Sequence, residues 1–417
     1  MSPMFRPLAA VGSEDTRKGT AHKMSSWTGA PLTVSLCLVT MLMGMFPQRA
    51  YSQAKVGTTA ASFLTIITSA RANGMGGCAA NMVSEEAALY NPGALGLFHL
   101  EKYLAVTYPF ETQWVPDAAS SPTVESFSAS AGACLPQAIL GAGNSPKIAL
   151  AAAYARARLD FPQTLPRTTY DDPLGMGVEV IDFHEIADYY SVAVATEYYL
   201  RVGFGYSHKR IFERIFDNSV TATVHDYGMV IELPIGNLLR SCPTGGGFIG
   251  SPVGFAVTPS LGYVKANLGD DIGYQDSGPA YSPPKISRFG LAMFCAVRVK
   301  DSELGSLRIT REIERDLVGD RVEYKKIGGE AGLLGIAYLR VGSRNSESSL
   351  DDLDTFGFGI RAAGAIAWLK NFHVLHRGSN LLGRMLNTLD LTFDYARYSS
   401  DDSPLDDTEF YKLSLSL

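Results

Sequence analysis

The chain has 417 residues, 46% of them hydrophobic and 10% aromatic, which excludes a disordered polymer and suffices for a large core or a lipid-facing wall. Lys and Arg number 36 against 42 Asp and Glu, a formal net charge of -6, so no basic field exists to hold a nucleic-acid backbone. The 41 Gly, 20 Tyr and 20 Phe beside only 3 Trp favour many strands, tight turns and aromatic anchors over a helical membrane protein.

The first segment is an address. Ala30 to Phe46 carries no charge, follows Arg17, Lys18 and Lys23, and leads into small residues at Ser52 and Ala54. That order is a basic region, an apolar region and a cleavage site, so residues 1–54 read as a cleaved signal peptide. The competing reading, a membrane anchor, needs a run of about 18–20 apolar residues, and Pro31 and Gly44 weaken this one as a helix. Met1 and Met24 both remain as starts, although a start at Met24 discards every Lys and Arg ahead of the apolar run.

Residues 55–98 are rich in Gly and Ala, which suits backbone that packs closely against other chain. They are expected to form a plug inside a barrel. A short helix is expected over Val83 to Leu89, capped by Ser84, with Glu85 and Glu86 in its first turn favoured by the helix dipole. Asn91-Pro92-Gly93 is expected to turn the chain into the wall. Two polar residues stand out in this small-residue segment. Arg71 could gate the lumen by pairing with an inward acid such as Asp390 or Asp394, and Asn91 could hold the plug shut through its amide. The bland alternative, favoured on the sequence, is that both only satisfy plug backbone.

From His99 to Leu417 the pattern has period two, the mark of strands with one apolar and one polar face. Leu389, Leu391, Phe393 and Tyr395 alternate with Asp390, Thr392 and Asp394. Similar sets are Tyr190, Val192 and Val194; Val202, Phe204 and Tyr206; and Phe356, Phe358 and Ile360. About a dozen such stretches can be counted, separated by turn residues such as Asp270-Asp271 and Ser282-Pro283-Pro284. The charge run from Arg308 to Lys326 reads as a solvated hairpin beyond the bilayer, because its signs alternate. At the end Tyr411, Leu413, Leu415 and Leu417 alternate with Lys412, Ser414 and Ser416, a strand fit to close a barrel against its first strand. It looks like a C-terminal assembly signal ending on Leu instead of an aromatic residue.

No nucleophile elbow, phosphate loop or Cys/His constellation is present, so neither an enzyme nor a cofactor is expected. His373 and His376 have a spacing that could hold a metal on a helix, but their flanks read as loop. His184 with Glu185 and Asp188, and His225 with Asp226, read as lumen or loop residues and not as acid/base pairs. Cys78, Cys134, Cys242 and Cys295 show no CxxC spacing; one or two disulfides fit an oxidising periplasm, but four free or locally paired cysteines of no functional weight are the favoured reading.

The run from Gly57 to Leu97 resembles the N-terminal signature of the PorV/PorQ family of outer-membrane barrels. Phe63-Leu64 precedes Ala70-Arg71, then come Gly74-Met75-Gly76-Gly77, an acidic helix and Asn91-Pro92. Later pieces follow in the family's order: Asp226-Tyr227-Gly228-Met229, Gly262 to Gly269, Phe289-Gly290-Leu291-Ala292, Gly329-Glu330, Leu339-Arg340-Val341-Gly342, Phe356-Gly357-Phe358-Gly359, Asp394-Tyr395-Ala396 and Leu413-Ser414-Leu415. That family is similar to the FadL-type fatty-acid transporters, from which this chain departs with Gly93 where Ala is usual and Cys78 where a small aliphatic is common. The resemblance implies one all-β transmembrane antiparallel barrel over residues 99–417, of 14 strands, with an N-terminal plug. It implies an outer-membrane component of type IX secretion that docks or shuttles exported proteins. A FadL-like channel for hydrophobic small molecules, and a purely structural barrel, are the alternatives. Outer-membrane lipid, the barrel assembly machinery, secreted cargo and secretion-system subunits are the implied partners.

Overall fold

A computed structural model describes residues 59–116, 121–135, 146–161, 183–215, 218–235, 253–273, 280–299, 302–318, 323–346, 352–372, 389–400 and 403–417. The proposed signal peptide, Cys242, and the pair His373 and His376 lie outside the described residues. Everything described belongs to one compact unit, Ser52–Leu417.

That unit is a closed antiparallel barrel of 14 wall strands, as expected from the resemblance. They are β1 (Leu104–Tyr108), β2 (Thr123–Cys134), β3 (Lys147–Asp160), β4 (Phe183–Glu197), β5 (Arg201–Ile215), β6 (Asn218–Glu232) and β7 (Val253–Gly269). The second half comprises β8 (Ile286–Val299), β9 (Ser302–Asp316), β10 (Glu323–Leu333), β11 (Ala337–Asn345), β12 (Leu353–Arg361), β13 (Asp390–Ser399) and β14 (Glu409–Ser416). Each pairs with its sequence neighbours, and β1 closes the ring by pairing with both β14, Ala105 opposite Ser416, and β2, Leu104 opposite Ala131. Closure leaves no open edge, which is what a hydrocarbon environment demands of a sheet. Thr112–Gln113 extends the β1 position with two further residues paired to β2.

Side-chain alternation decides the two faces. On β4, Tyr190, Val192 and Val194 point outward while Tyr189, Ser191, Ala193 and Ala195 are buried inward. Exposed outward apolar residues recur on nearly every wall strand, among them Leu150, Phe204, Ile309, Ile327, Leu339, Val341, Phe356, Ile360, Leu391 and Leu415. So continuous an apolar exterior makes the barrel a membrane-spanning one. A shared cross-strand row, Tyr154, Tyr190, His208 and His225, lies outside, and on β13 and β14 Tyr395 and Tyr411 pair on the same face with ring centroids 5.2 Å apart. Amphipathic rings on the outer face suit a membrane–water interface.

Counting alternating stretches on the sequence finds about twelve strands, fewer than the 14 present. The weakest signals fall on β10, where Gly328, Gly329 and Gly332 supply no amphipathic contrast. The charge run corrects a second expectation. Arg308 to Asp316 is wall, not solvated hairpin: Thr310, Glu312 and Glu314 are buried on the inner face, and Lys326 of β10 is buried beside them. Alternating signs are what a strand shows when its inner face carries acids and its outer face carries Arg311 and Arg315.

The lumen is filled by the chain that precedes β1. A 3-10 turn (Ser62–Thr65) leads to three short helices, α1 (Ala70–Asn73), α2 (Ala87–Tyr90) and α3 (Pro92–Phe98). The helix expected over Val83 to Leu89 is shorter and later than the sequence suggests. Ser84 Oγ accepts from the Glu86 amide at 3.3 Å in a turn before α2, while Glu85 and Glu86 reach out to the wall instead of facing the helix dipole. Asn91-Pro92-Gly93 likewise does not lead into the wall. Asn91 Oδ1 accepts from the Gly93 amide at 2.9 Å, capping α3 with Pro92 at its first position, and the wall begins only at Leu104. A fourth helix, α4 (Ala362–Asn371), follows β12 on the rim that carries Leu417.

Candidate functional site

The site built from the sequence-derived motifs is the seat of the plug on the inner wall. Its first half is the turn after α1. Gly76 and Gly77 adopt φ of 68° and 76°, open to glycine at no steric cost. The turn lies so flat on the wall that a Cβ on Gly342 of β11 would strike Gly76 N, and one on Gly328 of β10 would strike the Met75 carbonyl. The Gly76 amide donates to Thr355 Oγ1 at 2.9 Å, and Gly74 sits over Gly357 of β12. Met75 is fully buried between them.

Ionic groups surround this turn. Arg71 donates twice to Glu330 of β10, at 3.0 Å from Nε and 2.7 Å from Nη2. Arg340 of β11 donates to the same carboxylate at 2.7 Å and pairs with Asp394 of β13 at 2.7 Å. The sequence had offered Asp390 or Asp394 as the partner of Arg71; the structure assigns Glu330, because Arg340 stands between Arg71 and Asp394 and takes that acid for itself. Burial opposes the charge on Arg71, and the Glu330 carboxylate more than compensates, holding the guanidinium above its ordinary pKa.

A second cluster holds the next turn. Glu312 Oε2 of β9 accepts from the amides of Ala79 and Ala80 at 2.8 and 2.6 Å. Lys326 Nζ contacts Glu312 at 3.3 Å and Glu314 at 2.8 Å and donates to the Gly77 carbonyl at 3.3 Å. Lys412 of β14 meets Glu86 at 3.1 Å and Ser126 Oγ at 2.9 Å, and Ser414 donates to Glu85 at 2.6 Å. Tyr398 of β13 donates to Asn73 Oδ1 at 2.8 Å. Every one of these wall groups projects inward by strand parity, so the plug meets a charged lining from β9 to β14.

The other half of the seat, around Asn91-Pro92-Gly93, works by shape. Asn91 is fully buried, and its amide nitrogen donates to Ala80 O at 2.5 Å and Met229 O at 3.2 Å. A Cβ on Gly228 of β6 would strike Asn91 Oδ1, and one on Gly205 of β5 would strike the Pro92 carbonyl. Beyond it Leu95 and Leu97 of α3 pack on Ala149, Ala151, Ala193, Ala195 and Val230 of β3, β4 and β6. His99, after α3, reaches Ser130 Oγ at 3.0 Å and the Lys102 carbonyl at 2.8 Å. Between plug and wall, a gap lined by Leu64, Thr68, Tyr90, Tyr189 and Arg288 measures about 10 Å³, space for one water molecule at most.

The structure thus brings Arg71, Gly74, Met75, Gly76, Gly77, Asn91 and Pro92 into one plug–wall interface, while Tyr411 and Leu415 face outward on β14. Leu417 lies just past β14, and its backbone pairs with Leu104 at 2.9 Å. Sequence reasoning missed the wall half of the interface: Glu312, Lys326, Glu330, Arg340 and Lys412. Period-two parity applied through the charge run would have found Glu312 and Glu314. Parity also separates the neighbours considered as acid/base pairs, with Asp188 outward and Glu185 inward, and His225 outward while Asp226 binds Lys209 inside at 2.7 Å. Cys78, Cys134 and Cys295 are free thiols.

No protein-family model matches the chain, and no curated protein sequence does. Among solved structures, it is similar to the toluene transporter TodX of Pseudomonas putida at 9% identity, with 83% of this chain and 96% of that one covered and a TM-score of 0.36. The toluene transporter TbuX of Ralstonia pickettii is similar at 10% identity over 83% and 96% of the two chains, with a TM-score of 0.35. The translocator domain of the autotransporter NalP from Neisseria meningitidis is similar at 12% identity over 76% and 86%, with a TM-score of 0.33. No activity is read across from these likenesses.

Proposed function

We propose that this chain is a plugged outer-membrane barrel that docks or shuttles exported proteins at the cell surface, the role its PorV-like sequence pattern implies in type IX secretion. The observation that carries this reading is the filled lumen. The plug is tied to β9, β10 and β14 by buried ion pairs and amide–carboxylate bonds, and pressed onto β5 and β6 by close backbone contact. A pore that conducts in its resting state has no use for so tightly satisfied a plug, since breaking a buried pair costs about 3–5 kcal/mol. A platform that works through its outer surface needs a sealed barrel.

The test combines two measurements on the full chain purified from outer membrane. In planar bilayers the protein is expected to show no single-channel conductance, and affinity isolation in mild detergent is expected to co-purify exported proteins or translocon subunits. Steady conductance, or uptake of a hydrophobic compound into vesicles together with an empty pull-down, would establish the FadL-like channel in its place.

A further inference from the structure

On the outer face, near the rim that carries Leu417, an apolar hollow of about 230 Å³ opens between β7, β8 and β9. Two outward rows border it: Phe255, Val297 and Gly305 on one side, and Val257, Cys295 and Leu307 on the other. Ala256, Ala296 and Ser306 form its floor. The hollow exists for two local reasons. Gly305 has no side chain where its row would otherwise continue towards Leu333, its partner on β10. The pairing of β8 with β9 also shifts between Val297 and Arg298, so that Leu304 bulges from the ladder and stands exposed.

We infer that this groove binds one acyl chain of a phospholipid in the leaflet at the Leu417 rim. Two observations commit the site to a lipid. Its lining is apolar and continuous with the exterior belt through Leu307, Ile309 and Leu333, so the bilayer already covers it. Its lip is a membrane-interface structure: Trp368 of α4 donates Nε1 to the carbonyls of Glu303 and Leu334, at 3.2 and 2.9 Å, and stacks on the exposed Phe372 with centroids 5.9 Å apart. Tryptophan anchored by its N–H at a rim and stacked on an exposed aromatic ring is the arrangement of an interfacial belt.

Gly305→Leu tests the site, because a Cβ there meets only Gly332 O at 3.7 Å and the added side chain fills the groove without strain. Gly329→Leu is the control: Gly329 faces the same lipid belt, a Cβ there would make only ordinary contacts with Arg308 O and Val341 Cγ2 at 3.9 Å, and it lies outside the groove. Heat-modifiable electrophoretic mobility confirms folding of both variants. Native mass spectrometry of detergent-purified protein is expected to show one phospholipid retained by the parent chain and by Gly329→Leu. In Gly305→Leu retention is expected to fall at least about tenfold, the equivalent of losing contact with two methylenes. Absence of a retained phospholipid from the parent, undiminished retention in Gly305→Leu, or equal losses in both variants would each overturn the assignment.

Discussion

The two halves of the plug seat solve one docking problem with different physics. Around Arg71 to Ala80 the plug adds charges to its close glycine contacts with β10 to β12: Arg71 and Arg340 share the buried Glu330 carboxylate, and Glu312 of β9 spans two plug amides. Around Asn91 to Leu97 it meets β3 to β6 through bare glycine backbone and small apolar side chains, with a single buried amide fixing register. The difference teaches where the plug could yield. A shape fit fails abruptly when bulk is added, whereas a charge network tolerates the loss of one cation so long as every buried carboxylate keeps a partner.

Glu330→Gln is expected to be the most damaging single change, because it leaves Arg71 and Arg340 buried without their shared acid, at a cost of about 3–5 kcal/mol. Urea unfolding in micelles, followed with protease cleavage of the plug, would measure it; a shift no larger than that of an outward control such as Gly329→Ala would break the ionic description of this half. Arg71→Met should cost less, about 1.5–3 kcal/mol, since Glu330 keeps Arg340 as a partner. If the Glu330 and Arg71 variants lose equal stability, the network does not share its carboxylate as described.

Gly228→Ala sharpens the other side of the comparison. The methyl group meets Asn91 Oδ1, so the apolar half should lift with a loss of about 1–3 kcal/mol, read as protease sensitivity near residues 91–97 while Arg71 stays protected. Uniform exposure of the whole plug would show that the halves do not act separately. The smallest effect belongs to pH. Burial holds the His99 imidazole below its ordinary value of 6.5, so the undocked ring takes up a proton more readily than the docked one. Docking of α3 should therefore weaken as pH falls through 6.5 and level off below the buried pKa, by about 1.4 kcal/mol per unit of displacement. His99→Gln should flatten that dependence in the same protease assay.

Much of the architecture was legible because strand parity is local. Tyr190, Val192 and Val194 announce an outer face without knowledge of any other residue, and Lys412, Ser414 and Ser416 announce an inner one. The plug motifs were legible for a similar reason: glycine, Asn-Pro and a lone arginine are conspicuous in a small-residue segment. Local signals misled where one pattern has two causes. The alternating charges from Arg308 onward suit a solvated hairpin and an ion-lined wall equally, and only the lumen's contents separate them.

By itself, then, the sequence determined that the chain alternates into a barrel wall and carries a compact segment able to fill it. Tertiary structure alone decided who meets whom inside. Arg71 and Glu330 lie 259 positions apart, and their meeting depends on the stagger accumulated over a closed ring of strands and on Arg340 claiming Asp394 first. Parity selects the face on which a side chain stands; ring closure and stagger set its height and its neighbours, and no local pattern encodes either.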